Sequence, residues 1–267
     1  MSFTLATWNI NSVRLRARLV EKFLKRWQPD VLCLQEIKCQ NDQFPAKPFR
    51  KLGYEHQLVH GQKGYHGVAI LSRRPLIEID RRDYCGVGDS RHLLAELRVG
   101  GRAVRVHNFY VPAGGDEPDP EINPKFDHKL RFVGEMRRLD SREGKVPNLL
   151  VGDLNIAPLE QDVWSHRQLL GVVSHTPVET EALIEVQGTG DWRDLMRQMV
   201  PPEQKLYSWW SYRARDWNES DRGRRLDHIW SDEDLAKSLV SLEVLRDVRG
   251  WQQPSDHVPV VARFDLD

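Results

Sequence analysis

The sequence predicts a mixed α/β fold, and three observations predict it. Residues 3–9 and 31–34 are apolar runs of strand length separated by one amphipathic helical segment, a strand–helix–strand opening that suits layered α/β architectures. Residues 93–99 and 103–110 are two strand-like runs joined by Gly100-Gly101, a strong hairpin signal. A further apolar run over 149–155 ends in Gly152-Asp153-Leu154-Asn155. Alternation along an extended chain puts residues i and i+2 on one side, so Asp153 and Asn155 point together. Gly152 before them permits a bend or a close approach. Taken alone, this stretch also reads as a strand end with ordinary Asx turn chemistry.

Each element follows from its own residues. The first strand ends in Trp8-Asn9-Ile10-Asn11. Ser12 reads as the N-cap of a helix whose apolar positions Leu15, Leu19, Val20, Phe23, Leu24 and Trp27 keep the 3.6-residue period. Arg14, Arg16, Arg18, Lys22, Lys25 and Arg26 form its other, solvated face. Pro29-Asp30 ends that helix, and Val31-Leu32-Cys33-Leu34 is a buried strand running into Gln35-Glu36-Ile37-Lys38. After an irregular loop over 39–53, residues 68–72 read as a strand, and the hairpin then ends in Asn108-Phe109-Tyr110-Val111-Pro112 with a phenol at the strand end.

A Pro-rich loop over 116–124 precedes a long helix predicted over 125–142, with Phe126, Leu130, Val133, Met136 and Leu139 on one face. Helical segments fill much of 161–200, broken around Gly188-Thr189-Gly190. From Leu206 the chain becomes aromatic and basic, with Tyr207-Ser208-Trp209-Trp210-Ser211-Tyr212-Arg213 followed by Arg215, Arg222, Arg224 and Arg225. Arg225-Leu226-Asp227-His228-Ile229-Trp230 and residues 240–248 read as strands. Pro254-Ser255-Asp256-His257-Val258-Pro259 then leads into a last strand over 260–264. No internal repeat and no linker-like boundary interrupts this order, so a single domain over 1–267 is expected.

Composition narrows the class. The chain has 267 residues, enough for a substantial core. It carries 39 Lys+Arg against 39 Asp+Glu. A net charge of zero announces no polyanion partner, although acidic metal ligands beside a basic binding rim would cancel in this way. No apolar run approaches the roughly 20 residues of a membrane span, and Met1-Ser2-Phe3-Thr4-Leu5 lacks the features of a signal peptide. The 3 cysteines are widely spaced, with Cys33 in an apolar run. They fit reduced thiols in a cytoplasmic protein rather than a disulfide framework or a cysteine metal site.

Polar groups recur at strand ends: Asn9, Glu36, Tyr110, Asp153 with Asn155, Asp227, and Asp256 with His257. Loops at strand ends are the usual place for function on a rigid scaffold. Carboxylates and amides in this mixture suit a hard divalent ion, Mg²⁺ or Mn²⁺, rather than zinc. Mg²⁺ uses few protein carboxylates and completes its shell with water and phosphate oxygens, which points to phosphoester chemistry. Each residue also has a plain structural role open to it. Asn9 can cap a helix, Glu36-Ile37-Lys38 can be a surface turn, Asp227 can pair with a neighbouring arginine, and Asp256-His257 can be a turn.

The order of the set separates these readings. Trp8-Asn9-Ile10-Asn11-Ser12-Val13-Arg14, Leu34-Gln35-Glu36-Ile37-Lys38, Asn108-Phe109-Tyr110-Val111-Pro112, Gly152-Asp153-Leu154-Asn155-Ile156-Ala157-Pro158, Ser208-Trp209-Trp210-Ser211-Tyr212-Arg213, Arg225-Leu226-Asp227 and Ser255-Asp256-His257-Val258-Pro259 follow one another along the whole chain. In this the sequence resembles the exonuclease III / apurinic-apyrimidinic endonuclease family of the endonuclease–exonuclease–phosphatase superfamily. The Gly-Asp-x-Asn and Ser-Asp-His motifs belong to the whole superfamily. The Gln-Glu-x-Lys, Ser-Trp-Trp-x-Tyr-Arg and Arg-Leu-Asp segments narrow it to the DNA-repair branch.

The resemblance implies a four-layer sandwich of the deoxyribonuclease I-like type, two packed β-sheets flanked by helices, with the site in a groove at one edge. It implies Glu36 as principal Mg²⁺ ligand (Mn²⁺ as the substitute), with Asn9 and Asp256 near the same centre. Asp153 is expected to position the attacking water, and Asn155 to neighbour both phosphate and metal. His257 is expected to contact the phosphate with its ring held by Asp227, Tyr110 to lie beside that phosphate, and Asp153 and His257 to share in the metal environment. Asn11, Arg14, Lys38, Trp209, Arg213, Arg224 and Leu226 are the expected DNA contacts, and Arg222 and Arg225 would also meet backbone phosphates. Trp209, rather than Trp210, is expected to line a pocket for a flipped-out abasic sugar.

The sequence departs from the family at Ser12, where many relatives have glycine, at Ala113, where relatives often carry an amide, and at Arg224, where some place an apolar residue. The implied partner is duplex DNA with abasic sites or 3′ ends, met by a monomer that binds no membrane. The rival readings are a phosphoesterase acting on phosphoinositides, sphingomyelin or RNA, disfavoured by the Ser-Trp-Trp-x-Tyr-Arg segment, and a non-catalytic DNA- or protein-binding module.

Overall fold

Strand alternation explains how one chain builds four layers. The computed structural model describes residues 1–266. Its strands are β1 (Ser2–Asn9), β2 (Val31–Gln35), β3 (His56–His60), β4 (Val68–Ser72), β5 (Ile77–Asp80), β6 (His92–Val99), β7 (Arg102–Tyr110) and β8 (Asn148–Asp153). They continue with β9 (Arg193–Asp194), β10 (Trp209–Trp210), β11 (Gly223–Arg224), β12 (Asp227–Ser231), β13 (Leu239–Val244) and β14 (Val260–Asp265). Two sheets of six strands result, in the orders β13-β14-β1-β2-β4-β3 and β5-β6-β7-β8-β12-β9, while β10 and β11 pair by themselves. Successive side chains on a strand leave by opposite faces. Leu5, Cys33 and Ile70 of the first sheet therefore meet Leu97, Val106, Val151 and Ile229 of the second in one buried core.

The alternate residues face outward onto helices. The helices are α1 (Val13–Trp27), α2 (Ala46–Arg50), α3 (Pro124–Met136), α4 (His166–Leu169), α5 (Pro177–Thr189), α6 (Leu195–Met199), α7 (Trp217–Ser220) and α8 (Glu233–Lys237). Ala6, Trp8, Leu32 and Leu34 pack on Val20, Phe23 and Leu24 of α1. Phe109, Leu150 and Trp230 pack on Phe132, Val133 and Met136 of α3 and on Leu183 and Val186 of α5. This is the expected helix–sheet–sheet–helix sandwich. Among the described residues no helix is long and apolar enough to cross a membrane.

Five local expectations are corrected. Ser12 does stand at the N-cap position of α1, but its φ is 82° and its side chain caps nothing. The first turn of α1 is distorted at Arg16 (φ −113°), which shifts the phase of the helix. Leu15 is consequently 62% exposed while Arg16 is buried, its Nε donating to the carbonyls of Gln253 and Pro254 at 3.1 and 3.0 Å. The second long helix stops at Met136 rather than running to 142, because the chain turns to hydrogen-bond Ser141 N–H to the Gly190 carbonyl at 3.0 Å. On that helix Lys129, not Leu130, takes the inner position. The strand predicted over 240–248 ends at Val244, since its ladder with β14 reaches Pro259, which has no N–H to donate.

Gly152 earns its place by close approach. Its φ is 133°, and a Cβ there would lie 2.0 Å from the Phe109 carbonyl oxygen on the neighbouring strand. Only glycine fits, and it is this contact that sets Asp153 beside Tyr110 across the β7–β8 ladder.

Candidate active site

The site forms where strands of both sheets end at one edge. Register does most of the placing: Asp153 lies opposite Asp227 on β12 and beside Tyr110 on β7, and Asn9 lies beside Gln35, the residue before Glu36. The sheets are locked together just beneath by Asn108, whose Nδ2 donates to the carbonyls of Leu34 (3.1 Å) and Ala69 (2.9 Å) while its Oδ1 accepts from Gln35 Nε2 at 2.8 Å. Fully buried, this clip fixes the distance between the two carboxylate-bearing edges.

Above the clip the polar side chains form one connected set. Asn9 Nδ2 donates to Glu36 Oε1 at 2.9 Å and to Asp153 Oδ2 at 2.8 Å, bridging the sheets. Asn155 donates from its backbone to Asp153 Oδ1 at 2.9 Å and from Nδ2 to Asp153 Oδ2 at 3.2 Å and the Val111 carbonyl at 2.9 Å. His257 Nδ1 lies 2.8 Å from Asp227 Oδ2, and its Nε2 faces Asp153 Oδ2 at 3.6 Å. Asp256 accepts from Asn11 Nδ2 at 3.0 Å and from the Trp209 indole at 2.9 Å. Lys38 Nζ sits 2.7 Å from both Glu36 Oε2 and Asn11 Oδ1. The expected catalytic and metal residues Asn9, Glu36, Tyr110, Asp153, Asn155, Asp227, Asp256 and His257 thus occupy one corner.

Burial tunes these groups in opposite directions. Burial raises the Asp153 carboxyl well above the usual carboxylate range, Asp227 and Glu36 adding to it against the His257 charge and the Asn9 hydrogen bond. Burial alone would lower His257, but Asp227 and Asp153 overcome it and raise the imidazole to about 10. Glu36 is raised by burial yet brought below its ordinary value by Lys38 and Asn9. Asp256 likewise ends low, through the His257 charge and its two hydrogen-bond donors. Burial pushes the Tyr110 phenol well above its ordinary range, with Glu36 and Asp153 adding to the shift. At neutral pH the corner therefore holds an imidazolium, a protonated phenol, and a carboxylate poised to exchange a proton.

The donor set fits a divalent ion. Asp153, Asp227 and His257 offer ligand atoms within 4.8 Å of one another. Asp227 Oδ1 is buried with no hydrogen-bond partner, an acceptor left for a cation or its water. Glu36 adjoins this group through Asn9. Oxygen predominates, as Mg²⁺ or Mn²⁺ requires. While His257 carries its proton it has no lone pair to give a metal and serves as a donor instead.

A groove of about 1460 Å³ opens from this corner. Trp209 is half-buried and Leu226 buried along it, with Arg224 between them and a guanidinium 5.4 Å from the Trp209 ring. Trp210 is core, 2% exposed. Arg213 and Arg222 are exposed on its rim, and Arg14 is exposed on the first turn of α1. Arg225 must be corrected: it is wholly buried in ion pairs with Asp162 (2.7 Å) and Asp194 (2.6 Å) and cannot reach a phosphate. Sequence reasoning also missed Arg91, whose guanidinium lies 4.9 Å from the Tyr110 ring and donates to the Tyr110 carbonyl at 3.3 Å. Extending the β6–β7 register one step past His92↔Phe109 would have found it.

Known proteins resemble this chain in sequence and fold. Residues 6–257 match the Endonuclease/Exonuclease/phosphatase family. The chain belongs to that family. Within it, exodeoxyribonuclease III of Haemophilus influenzae is 32% identical over 97% of this chain and 98% of its own length. The structure of an AP endonuclease from Archaeoglobus fulgidus superposes with a TM-score of 0.88 at 31% identity, covering 99% of this chain and 100% of the other. A 3′-5′ exonuclease from Neisseria meningitidis and a 3′ phosphatase from Neisseria bound to a product DNA hairpin each superpose with a TM-score of 0.87 at 30% identity, over 99% of this chain and 100% of theirs. These similarities place the chain in the exonuclease III / AP endonuclease branch of the Endonuclease/Exonuclease/phosphatase family.

Proposed function

We propose that this protein is a Mg²⁺-dependent DNA-repair phosphodiesterase that cuts duplex DNA 5′ to abasic sites, leaving a 3′-hydroxyl, and trims 3′ ends. The observation that carries the reading is the buried line Asp227–His257–Asp153 beside Glu36, set at the end of a groove with a cationic and aromatic wall. A Neisseria relative bound to a DNA hairpin supports DNA as the partner. We also propose that the protein works as a monomer in the cytoplasm.

The residues divide the reaction. Asp153, high in pKa and held by Asn9 and Asn155, orients a water and accepts its proton as the oxygen–phosphorus bond forms. His257, kept cationic by Asp227, donates from Nε2 to a non-bridging phosphate oxygen. The Tyr110 hydroxyl, held protonated, donates to another, and the phosphorus–O3′ bond breaks with the 3′-oxygen taking its proton from solvent water. Glu36, with Asp153 and Asp256, would hold the divalent ion. When bound, that ion supplies Lewis acidity to the phosphate and to the departing 3′-oxygen. Trp209 and Leu226 offer an apolar face for a sugar without a base, and Arg213, Arg222 and Arg14 meet the flanking phosphates.

An end-labelled duplex carrying a single abasic analogue, incubated with Mg²⁺ and separately with EDTA, tests the reading. Incision 5′ to the analogue and 3′ laddering in Mg²⁺ alone are expected. An intact duplex in both lanes would overturn it, and hydrolysis of a phosphoinositide in its place would move the chain to another branch of its superfamily.

A further inference from the structure

We propose that Lys129 is a positioning residue for the catalytic corner: its buried ammonium fixes the Asn155 carbonyl and through it the side chain that steadies Asp153. Lys129 on α3 and Glu179 on α5 are ion-paired and both wholly inaccessible to solvent. A buried pair of this kind gains little stability over apolar residues of the same volume, and the α3–α5 contact could be made by leucine or methionine. What the lysine does uniquely is donate. Its Nζ donates to the Asn155 carbonyl at 2.8 Å and to the Ala113 carbonyl at 3.3 Å. The loop is moulded on its stem as well, since a Cβ at Gly114 would lie 2.9 Å from Lys129 Cδ.

Asn155 needs such an anchor. Its φ is 54°, a left-handed conformation uncommon for a non-glycine residue though open to asparagine. In that conformation the backbone N–H and Nδ2 both reach Asp153. Rotation of the peptide toward ordinary φ would carry both donors away and leave Asp153 with Asn9 and the His257 ring. Glu179 is the counter-ion and stands outside the catalytic corner. Its carboxylate also accepts from Ser174 N–H at 2.9 Å, Thr176 N–H at 3.2 Å and Thr176 Oγ1 at 2.6 Å, closing the start of α5.

The inference rests on the hydrolytic function proposed above and is tested on the full chain with Mg²⁺ and an abasic duplex. The paired variant Lys129→Met/Glu179→Gln removes both charges at nearly constant volume and leaves an amide oxygen to cap α5. We expect it to fold, with kcat about 10- to 100-fold lower, KM within about twofold, and faster hydrogen exchange confined to the peptide covering 153–157. Glu179→Gln alone keeps Lys129 Nζ as a donor to the Asn155 carbonyl, in its charged or its neutral form. It is expected to melt earlier while keeping kcat within about threefold, and should the paired variant fail to fold, Lys129→Leu/Glu179→Leu takes its place with the same expected loss of kcat. Wild-type kcat in the paired variant, or an equal loss of kcat in Glu179→Gln, would overturn the role of Lys129. Absence of cleavage by the wild-type protein would instead remove the function on which it rests.

Discussion

The corner and the groove wall that meet at Asp256 are built in opposite ways. The corner consists of Asn9, Asp153, Asp227 and His257, all at or just beyond the ends of strands in the six-stranded sheets and all buried. Every one is held by at least one other member. The wall stands on the two-residue strands β10 and β11, and Arg213, Arg215 and Arg222 are exposed on loops around α7. One region is preorganised, the other adaptable, and Trp209 joins them by donating its indole N–H to Asp256. Preorganised donors act on a transition state without rearranging, whereas a wall of exposed cations adjusts to a long substrate. The contrast assigns kcat to the corner and substrate preference to the wall.

Breaking the corner should give the largest effect. Asp153→Asn or His257→Ala is expected to lower kcat by about 10²–10⁴-fold, while the Kd for an abasic duplex, measured by fluorescence anisotropy, changes only a few-fold. A variant that turns over at the normal rate would remove its residue from the chemistry, and one that no longer binds DNA would erase the division between corner and wall.

Asp227→Asn probes the same corner through pH. Burial lowers the His257 pKa, but Asp227 and Asp153 raise it to about 10. The folded value thus exceeds the unfolded value of about 6.5. The pair's contribution to stability is complete below that unfolded value and fades as pH climbs through the folded one. Removing the Asp227 charge takes away the larger of the two raising influences. The alkaline limb of the kcat profile should move toward neutrality, together with the His257 titration followed by NMR. A limb that stays in place would show that another group sets it.

The two regions also differed in how far the sequence revealed them. Asn9, Glu36, Tyr110 and Asp153 end or follow an apolar run of strand length and Asp227 and His257 open or precede one, so local pattern marks them as candidates, and the order of their motifs in the family resemblance selects them. Arg16, Arg91, Lys129 and Arg225 were misread or missed because their positions depend on contacts remote in sequence. Arg16 turns inward onto the carbonyls of Gln253 and Pro254, far along the chain. Arg225 belongs to a motif full of arginines, and only the approach of Asp162 and Asp194 separates it from its exposed neighbours. Asn108 was visible in its motif, but its bridging of two sheets needs both sheets to be seen.

The wall should yield a smaller, selective effect. Arg224 donates to the Val173 carbonyl at 2.9 Å and to Ser174 Oγ at 2.6 Å, holding the far side of the groove against β11 while its guanidinium faces Trp209. Arg224→Ala removes a cation from the pocket and loosens that side. The expected result is a shift of about tenfold in the ratio of abasic incision to 3′ trimming, with the better substrate still cleaved at near-normal kcat. Equal losses on both substrates would mean that the wall contributes to chemistry, and the contrast between the regions would fail.

The smallest effect sharpens what preorganisation costs the corner. Asn11, Ser12, Glu36, Lys38 and Asn155 all have positive φ, and such strain costs about 1–3 kcal/mol for a non-glycine residue. Four of the five use their side chains in the polar set, so the strain is the condition of their placement. Ser12 differs. With φ at 82° its hydroxyl caps nothing, and only its backbone is engaged, the N–H donating to the Glu36 carbonyl at 2.7 Å and the carbonyl accepting from the Arg16 N–H at 3.2 Å. Ser12→Gly would relieve the strain, keep that hydrogen bond, and add about 0.5–1 kcal/mol of unfolded-state entropy. A net gain near 1 kcal/mol is expected, read as a rise of about 2–4 °C in Tm. A lower Tm would show that the serine side chain stabilises this turn after all, and that the strain is shared by the whole entry to α1 rather than stored at single residues.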